Sequence, residues 1–513
     1  MFKWDNNHHP INNSRLIDML LGSGGRLEEI TRETQRVFNE IRKPVEAGPE
    51  KTRRTIKEGI WSPISTKFTA PDNKNIGFEV EDDNIFPNWK KELDREYARL
   101  KELNTTAVSV TDFGARGDGR TDSTAAFTKA FGSGGNVVFV PEGVYVVRGL
   151  KLPSWTRLIG AGTGKTIIRL HEKAPKRRTL LANRNPFKGN SHISVEGLTL
   201  DWNVERLPVH TKTASGNNLS SCLTFAKVRF GWVKDVDAIN PGLHCFDISS
   251  SFYSYAGDGT KAKGGSSFIW LDRVTGSGFG DDGVTTHHSD HIFISNSHFR
   301  DPSGRSHRAG FANSNGFEID DGSTNVWLAD NSSSRCFGGV EIKAHDTSSA
   351  ASGVHISGHL SVNDNRAFNF RHIGHHHPGD AESRSAFNIS AQKLVAIHPV
   401  RSELYRNSSP RALVVSGYRN VAVNQFLFAG DPGYDYKNQP VASIQFRAQN
   451  VALANGHIQG FGSCSTDLSV ATGQKNVRHV LLRNIISRNS SPMGIDCGQD
   501  VSSIKMENMI RLE

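Results

Sequence analysis

The chain has 513 residues, of which 36% are hydrophobic, 22% are charged and 49 are glycine. This composition is typical of many short strands joined by polar turns, and it argues against a helix-rich protein. No apolar run approaches the roughly 18 residues of a membrane helix, so a membrane is not an expected partner. The net charge is +9, but the sequence has no basic run and no zinc-ligand pattern. A nucleic acid is therefore not an expected partner either.

Helical patterns are confined to residues 1–107. Residues 26–43 and 88–103 place apolar side chains at helical intervals. The stretch between them, about 44–87, is rich in Pro, Lys and Asn and is predicted to be irregular. Asp18 interrupts the apolar run 16–21, which argues against a secretory signal. We expect this segment to have little core of its own and to be stabilised by self-association or by docking to a larger assembly.

From residue 108 onward, short β-rich runs recur in two series. The first series comprises 191–195, 290–294, 325–328, 420–423, 450–453 and 476–480. The second comprises 245–249, 283–287, 316–320, 339–343 and 367–371, extended to Leu223, Phe387, Leu413, Ile444, Leu468 and Ile495. Steps of about 27 residues fall in the range of solenoid repeats. Because no helix pattern lies between the runs, we predict an all-β fold, a parallel β-helix.

The first runs of this region carry a family resemblance. They read VSVTDFGARGDGRTDSTAAF at 108–127, NVVFVPEGVY at 136–145 and LIGAGTG at 158–164. This wording resembles the start of pectate-lyase-like right-handed β-helix proteins, which include phage tailspikes and pre-neck appendages and polygalacturonases. The resemblance implies a right-handed solenoid that acts on polysaccharide. We therefore predict a short helical N-terminal segment, 1–107, followed by a right-handed parallel β-helix with the active site, 108–513.

Alternate residues of a strand share a face, so the aligned runs also predict outward columns. These columns are Asp247, Thr285, Glu318, Glu341 and Asn369; then Ser249, His287, Asp320, Lys343 and Arg371; and, just before each strand, His244, Asp282, Asn315, Gly338 and Arg366. Clustered carboxylates raise one another's pKa, which suits a general acid near neutral pH. Glycoside hydrolysis uses such a pair of carboxyl groups.

The predicted site follows from these columns. The candidate catalytic residues are Asp281, Asp282, Glu318, Asp320 and Glu341, and the candidate substrate-binding residues are His287, Asn315, Lys343, Arg366 and Arg371. The carboxyl spacing that separates retention from inversion stays open, because adjacent and alternate coils give different distances.

The same coils are similar to the catalytic coils of polygalacturonases. Asp281 and Asp282 match that family's paired aspartates, which implies that the first is the acid and the second helps to hold water. Lys343 matches the family's lysine. His244, Asn315 and Glu341 stand where the family has an aspartate, a histidine and an arginine. The missing arginine argues against galacturonate, and Glu318 and Glu341 become rivals to the aspartate pair.

The histidines at 287, 288, 291, 372 and 375–377 are expected to be loop residues, so no metal or other cofactor is predicted. The resemblance implies a virion protein, typically a homotrimer, that acts outside the host cell and attaches to phage tail or virion proteins through residues 1–107. The main hypothesis is a depolymerase that binds and hydrolyses a host surface polysaccharide. The alternatives are a glycan-binding protein without catalysis, cleavage of a phosphate-containing wall polymer such as teichoic acid, and lyase chemistry.

Overall fold

The computed structural model describes residues 8–22, 25–45, 77–82, 84–214, 219–251, 253, 264–345, 348–372, 375, 382–471, 477–499 and 501–513. Residues 46–76, which are most of the stretch predicted to be irregular, lie outside the described residues. His376 and His377 also lie outside them. The described residues form two compact units. Those of Asn88–Tyr255 and Lys261–Glu318 make the central unit, and those of Met1–Pro87 and Ile319–Glu513 make the terminal unit. None of the described helices has the length and apolar character needed to cross a membrane.

Helices occupy the start of the chain. They are α1 (Asn13–Leu21), α2 (Leu27–Ile41), α3 (Lys90–Leu103) and α4 (Thr124–Phe131), with 3-10 turns at Pro10–Asn12, Val110–Phe113 and Val204–Arg206. Helices α2 and α3 confirm the two helices predicted from the apolar spacing. Helix α1 was not predicted, because Asp18 breaks its apolar run; that carboxylate pairs with Lys393 at 2.7 Å.

In the terminal unit, α1 and α2 pack on strands of the same chain. Ile17 of α1 is fully buried among Leu360, Val395 and neighbouring apolar side chains. Val37 and Phe38 of α2 pack in the same way on a patch of small and apolar residues that includes Ala452. Both helices therefore bury apolar side chains against strands of their own chain. The boundary at residue 107 and the role of this segment in assembly stay predictions.

The central unit is a right-handed β-helix of stacked parallel strands. The first two strands of the chain, β1 (Phe78–Glu81) and β2 (Asn84–Pro87), form a hairpin in the terminal unit. The strands of the central unit are β3 (Thr106–Ser109), β4 (Asp118–Asp122), β5 (Asn136–Val140), β6 (Gly143–Val147), β7 (Leu150–Leu152), β8 (Thr156–Gly160), β9 (Thr166–Leu170), β10 (Leu181–Asn183), β11 (Asn190–Asp201), β12 (Leu223–Ala226), β13 (Val228–Ile239), β14 (Phe246–Ser249), β15 (Ser267–Asp272), β16 (Thr275–Ser277), β17 (Val284–Thr286), β18 (Asp290–Ser295), β19 (His298–Arg300) and β20 (Asn315–Ile319). One sheet has the order β7-β10-β12-β14-β17-β20. Helix α3 covers a second sheet, burying Leu93 and Leu100 against Trp232.

The terminal unit repeats the same architecture with longer strands. They are β21 (Thr324–Ser334), β22 (Gly338–Ala344), β23 (Ser352–Val362), β24 (Arg366–His372), β25 (Phe387–Ile397), β26 (Arg411–Ser416), β27 (Arg419–Ala429), β28 (Ala442–Gln445), β29 (Gln449–Gln459), β30 (Thr466–Val470), β31 (Arg478–Arg488), β32 (Met493–Cys497) and β33 (Ile504–Leu512). The odd-numbered strands stack in one parallel ladder and the even-numbered strands in another.

Left-handed residues bend the long strands at the same place in each coil. Asn455, Asn484 and Asn508 have φ values near 50°, a conformation that asparagine adopts more readily than most residues. Their side-chain amides hydrogen-bond from one coil to the next, with Asn484 donating to Asn455 at 2.8 Å and Asn508 donating to Asn484 at 2.9 Å. The coils are thereby held in register at the bend.

The predicted register of the second series is confirmed at most of its positions. Leu223 pairs with Phe246, which pairs with Val284. In the terminal unit, the run Val340, Phe368 and Leu413 is likewise in register.

Two positions of that series are wrong. Phe387 opens β25 in the other sheet and pairs with Arg419. Ala442, rather than Ile444, pairs with Leu413 and Leu468, so Ile444 lies two residues further along the same face.

Candidate functional site

A cluster of acids and histidines lies in the central unit where three adjacent strands begin. His244 precedes β14, Asp281 and Asp282 precede β17, and Asn315 opens β20. Because these strands are neighbours in one parallel sheet, the residues before them lie side by side. The His244 Nε2 atom is 3.6 Å from an oxygen of each aspartate. The structure therefore brings together His244, Asp282 and Asn315, which were predicted to form a column just before the strands.

Asp281 lies between two histidines. His307 Nε2 is 2.5 Å from Asp281 Oδ1, and His244 Nε2 faces Asp281 Oδ2. Burial would raise the pKa of this carboxyl, but the charges and hydrogen bonds of His307 and His244 outweigh burial and hold the pKa well below its usual range. Asp281 is consequently ionised near neutral pH, and it does not suit the role of general acid that the resemblance implied.

The pKa of His244 moves the other way. Burial alone would lower the pKa of its ring, yet the hydrogen bond and charge of Asp281, followed by the charges of Asp247 and Glu318, raise it above the ordinary value. The imidazole is thus favoured in its protonated form within a site from which water is largely excluded, since only 2% of the residue is exposed. A protonated imidazole is a proton donor.

Asn315 links Asp282 to Glu318. Its backbone N–H and its side-chain Nδ2 donate to Asp282 Oδ1 at 2.9 and 3.1 Å, and the same Nδ2 lies 2.9 Å from Glu318 Oε2. Thr285 donates to the other oxygen of Glu318 at 3.1 Å. These donors are neutral, so they orient the two buried carboxyl groups without supplying a countercharge.

His287 forms the other side of the cluster. Its Nδ1 atom is 3.6 Å from Asp247 Oδ1, and its ring stacks on Tyr253 with centroids 3.8 Å apart. Asp247 is fully buried although its column was predicted to face outward. The outward side of these strands is therefore a covered polar layer and not a solvated ladder.

One metal-binding arrangement is available in this cluster. His244, Asp281 and Asp282 each offer a ligand atom, and these atoms lie within 4.8 Å of one another. A metal needs the neutral imidazole, whereas the surrounding carboxylates raise the pKa of His244. A metal ion at this place would therefore have to displace the proton of His244.

The remaining predicted residues belong to the terminal unit. Arg371 Nε donates to the fully buried Glu341 at 2.5 Å, and Lys343 Nζ lies 3.8 Å from Asp320 Oδ2. Arg366 donates to Asn369 at 3.4 Å. Glu341 thus has a cationic partner within its own unit, and the catalytic roles of Asp320 and Glu341 stay predictions.

Three residues beside these sites lay beyond the predicted set, namely His307, Asp321 and His345. His307, in the segment between β19 and β20, has no periodic pattern around it and therefore gave no signal in the sequence. Asp320, Asp321 and His345 offer ligand atoms close to one another in the terminal unit. The tryptophans Trp155, Trp232 and Trp270 pack beneath α3.

Comparison with known proteins places these observations in a family context. Residues 107–341 match the model of the family Rhamnogalacturonase A/epimerase, pectate lyase-like. The chain is 46% identical over 419 residues to Putative phage-related protein YobO of Bacillus subtilis (strain 168), which covers 82% of this chain and 52% of that protein. It is 39% identical over 415 residues to the pre-neck appendage protein of Bacillus phage phi29, covering 80% of this chain and 47% of that protein.

A solved structure agrees with the sequence comparison. The crystal structure of the N-terminal fragment of phage phi29 gene product 12 aligns with a TM-score of 0.73 at 38% identity. The alignment covers 82% of this chain and 68% of that fragment. The chain spans about half the length of the curated relatives it matches.

Proposed function

Because the chain belongs to the family of phage pre-neck appendage proteins built on a pectate lyase-like β-helix, we propose that it binds and cleaves a host cell-surface polysaccharide by acid–base hydrolysis of glycosidic bonds. The observation that carries this proposal is the buried cluster of His244, Asp281, Asp282 and Glu318, in which one group favours its protonated form and another is held ionised. Groups whose pKa values are moved apart are typical of acid–base sites.

Each residue then has a distinct role. His244 gives its proton to the oxygen that leaves when the glycosidic bond breaks. The fixed negative charge of Asp281 stabilises the imidazolium before the transfer and the positive charge that develops on the sugar ring. Asp282 and Glu318, held by Asn315, are the candidate bases that remove a proton from the attacking water.

A second candidate reaction uses the same groups. A histidine that donates a proton beside a carboxylate can also protonate the alkoxide that leaves a phosphodiester, so cleavage of teichoic acid is the alternative that the two histidines around Asp281, His244 and His307, favour. Binding without cleavage and lyase chemistry are further outcomes of the same assay.

The test is incubation of the purified full chain with wall polysaccharide and with teichoic acid from Bacillus cells. New reducing ends without phosphate at chain termini are the expected result. Phosphate-bearing termini would replace glycosidic cleavage with the second candidate, an ultraviolet-absorbing unsaturated product would indicate a lyase, and saturable binding without any product would contradict catalysis.

Variants connect the activity to the cluster. H244N, D281N and E318Q are each expected to lower kcat by about a hundredfold or more, the range typical of removing an acid–base group. D201N is the matched control, since Asp201 is also a buried carboxylate of the central unit but pairs with Arg169 at 2.7 Å. If H244N, D281N and E318Q cleave as fast as D201N, the site assignment is wrong.

Virion attachment and assembly complete the proposal. We propose that the protein functions outside the host cell as part of a virion, joined to other phage proteins through residues 1–107, as a homotrimer. Light scattering of the full chain measures the assembly directly: a mass three times that of the chain is expected, and a monomer across the working concentration range would contradict the trimer.

A further inference from the structure

Two arginines of the terminal unit lie directly beside each other on neighbouring strands. Arg366 opens β24 and Arg411 opens β26, and the two residues are paired in the register of the sheet. Neighbouring strands are about 4.8 Å apart, and like charges placed opposite one another in a sheet are destabilising. The pairing therefore has an electrostatic cost that requires an explanation.

No carboxylate of the described residues lies within ion-pair distance of either guanidinium. Arg366 donates to the neutral side chain of Asn369 at 3.4 Å. Arg411 donates to Ser443 and, at 3.1 Å, to Gln439. The Nε atoms of both arginines are buried and have no hydrogen-bond partner in the described part of the chain. The neighbours thus orient the two cations but do not neutralise them.

The electrostatic surroundings agree with this geometry. Burial and the positive charges of Arg371 and Arg411 together lower the pKa of Arg366 to about 10, against the opposing charge of Glu341. Burial also lowers the pKa of Arg411. Glu341, the carboxylate whose charge acts on Arg366, accepts a hydrogen bond from Arg371.

Arg483 of the same unit, in contrast, is ion-paired. Arg483 hydrogen-bonds with Glu40 at 2.9 Å through each terminal nitrogen and also contacts Glu507. A buried charge without a partner is costly, and guanidinium groups bind phosphate or carboxylate oxygens in a planar, two-pronged geometry. An oxyanion between two adjacent guanidiniums would supply the missing countercharge.

We propose that Arg366 and Arg411 form a subsite for one oxyanion group, a phosphate or a carboxylate, carried by the polymer that the protein binds. The identity of that polymer as a host surface glycan rests on the proposed function, whereas the affinity for an oxyanion does not. Arg366 was expected to bind substrate, with a phosphate-containing polymer among the alternatives; Arg411 and its pairing with Arg366 come from the structure.

The first experiment measures thermal unfolding of the full chain with increasing inorganic phosphate, with the ionic strength kept constant by chloride. Phosphate is expected to raise the melting temperature of the wild type, because it binds the folded state only. In R366Q and R411Q the affinity for phosphate is expected to fall roughly ten- to a hundredfold, the loss typical of a hydrogen bond to a charged group.

R488Q is the matched control, because Arg488 is an exposed arginine of the same unit and its loss changes the net charge equally. R366K is the second variant for the case in which R366Q does not fold, since lysine keeps the charge but loses the two-pronged donor. Phosphate affinities of R366K and R411Q that match R488Q within twofold would overturn the subsite.

The second experiment separates the sources of the anion. Binding of poly(glycerol phosphate), polygalacturonate and a neutral glucan is measured by calorimetry with the wild type and R411Q. A loss of affinity in R411Q for one of the two anionic polymers identifies phosphate or carboxylate, and an equal loss for the neutral glucan would contradict an anion subsite. If no polymer is cleaved but phosphate binding still depends on Arg411, the proposed function fails and the subsite stands.

Discussion

Replacing His345 by asparagine tests the electrostatics of the terminal unit. His345 follows β22, and its backbone N–H and its Nδ1 atom donate to the two oxygens of the buried Asp321 at 2.9 and 3.0 Å. Asp320 lies 3.6 Å from the same ring nitrogen. Asparagine retains a neutral donor at the place of Nδ1 and removes the charge that the two carboxylates stabilise.

The size of the effect follows from the pKa. Burial of the ring would lower the pKa of His345, but the charges of Asp320 and Asp321 raise it from the ordinary 6.5 to about 9. The protonated form is thus stabilised in the folded state by about 3 kcal/mol, at 1.36 kcal/mol for each pKa unit. This stabilisation is fully present below pH 6.5 and is lost as the pH rises through 9, because the folded state then releases the proton too.

The measurement is the melting temperature of wild type and H345N between pH 6 and pH 10. The melting temperature of the wild type is expected to exceed that of H345N at pH 6 and to lose that advantage by pH 10, a change of about 6–12 °C at about 2–4 °C for each kcal/mol. H457N is the control, since His457 is exposed on β29 of the same unit. A gap between wild type and H345N that stays constant over this range would refute the assignment of the charge.

Two further predictions concern packing and ion pairing. Leu100→Ala is expected to lower the unfolding free energy of the central unit by about 2–5 kcal/mol, because Leu100 of α3 is fully buried against the sheet. Leu103→Ala, at an exposed position of the same helix, is expected to change the unfolding free energy by less than about 0.5 kcal/mol. Equal effects of the two substitutions in urea unfolding would argue against the docking of α3. Arg371→Met is expected to cost about 3–5 kcal/mol by leaving Glu341 buried without its described partner, and Glu341→Gln in the same chain is expected to restore part of this loss, which differential scanning calorimetry would show as a partial recovery of the melting temperature.

Most of the fold could be predicted from local patterns. The apolar alternation around Val340, Phe368 and Leu413 repeats from coil to coil, and the structure pairs these residues in register. The same rule failed for Phe387, since the run Phe-Asn-Ile-Ser at 387–390 has the alternation of either sheet. Alternation defines the two faces of a strand, but the sheet that the strand joins depends on the lengths of the connections around it.

The candidate site could be predicted only in part. The positions of His244, Asp282 and Asn315 follow from the beginnings of adjacent strands, and the structure brings their side chains together. The protonation states do not follow from the sequence. They depend on His307, which reaches Asp281 from an irregular segment, and on the burial of outward side chains such as Asp247. Both effects come from tertiary packing, which strand periodicity does not encode.

The two charged clusters differ in how their charges are balanced, and this difference predicts how each responds to solution conditions. In the central unit, imidazole and carboxylate groups balance one another, so the cluster changes its charge with pH. In the terminal unit, Arg366 and Arg411 remain cationic at physiological pH and have neutral partners among the described residues. Proton transfer therefore suits the first cluster, whereas the second is suited to bind a permanent anion, whose affinity falls with salt and not with modest changes of pH.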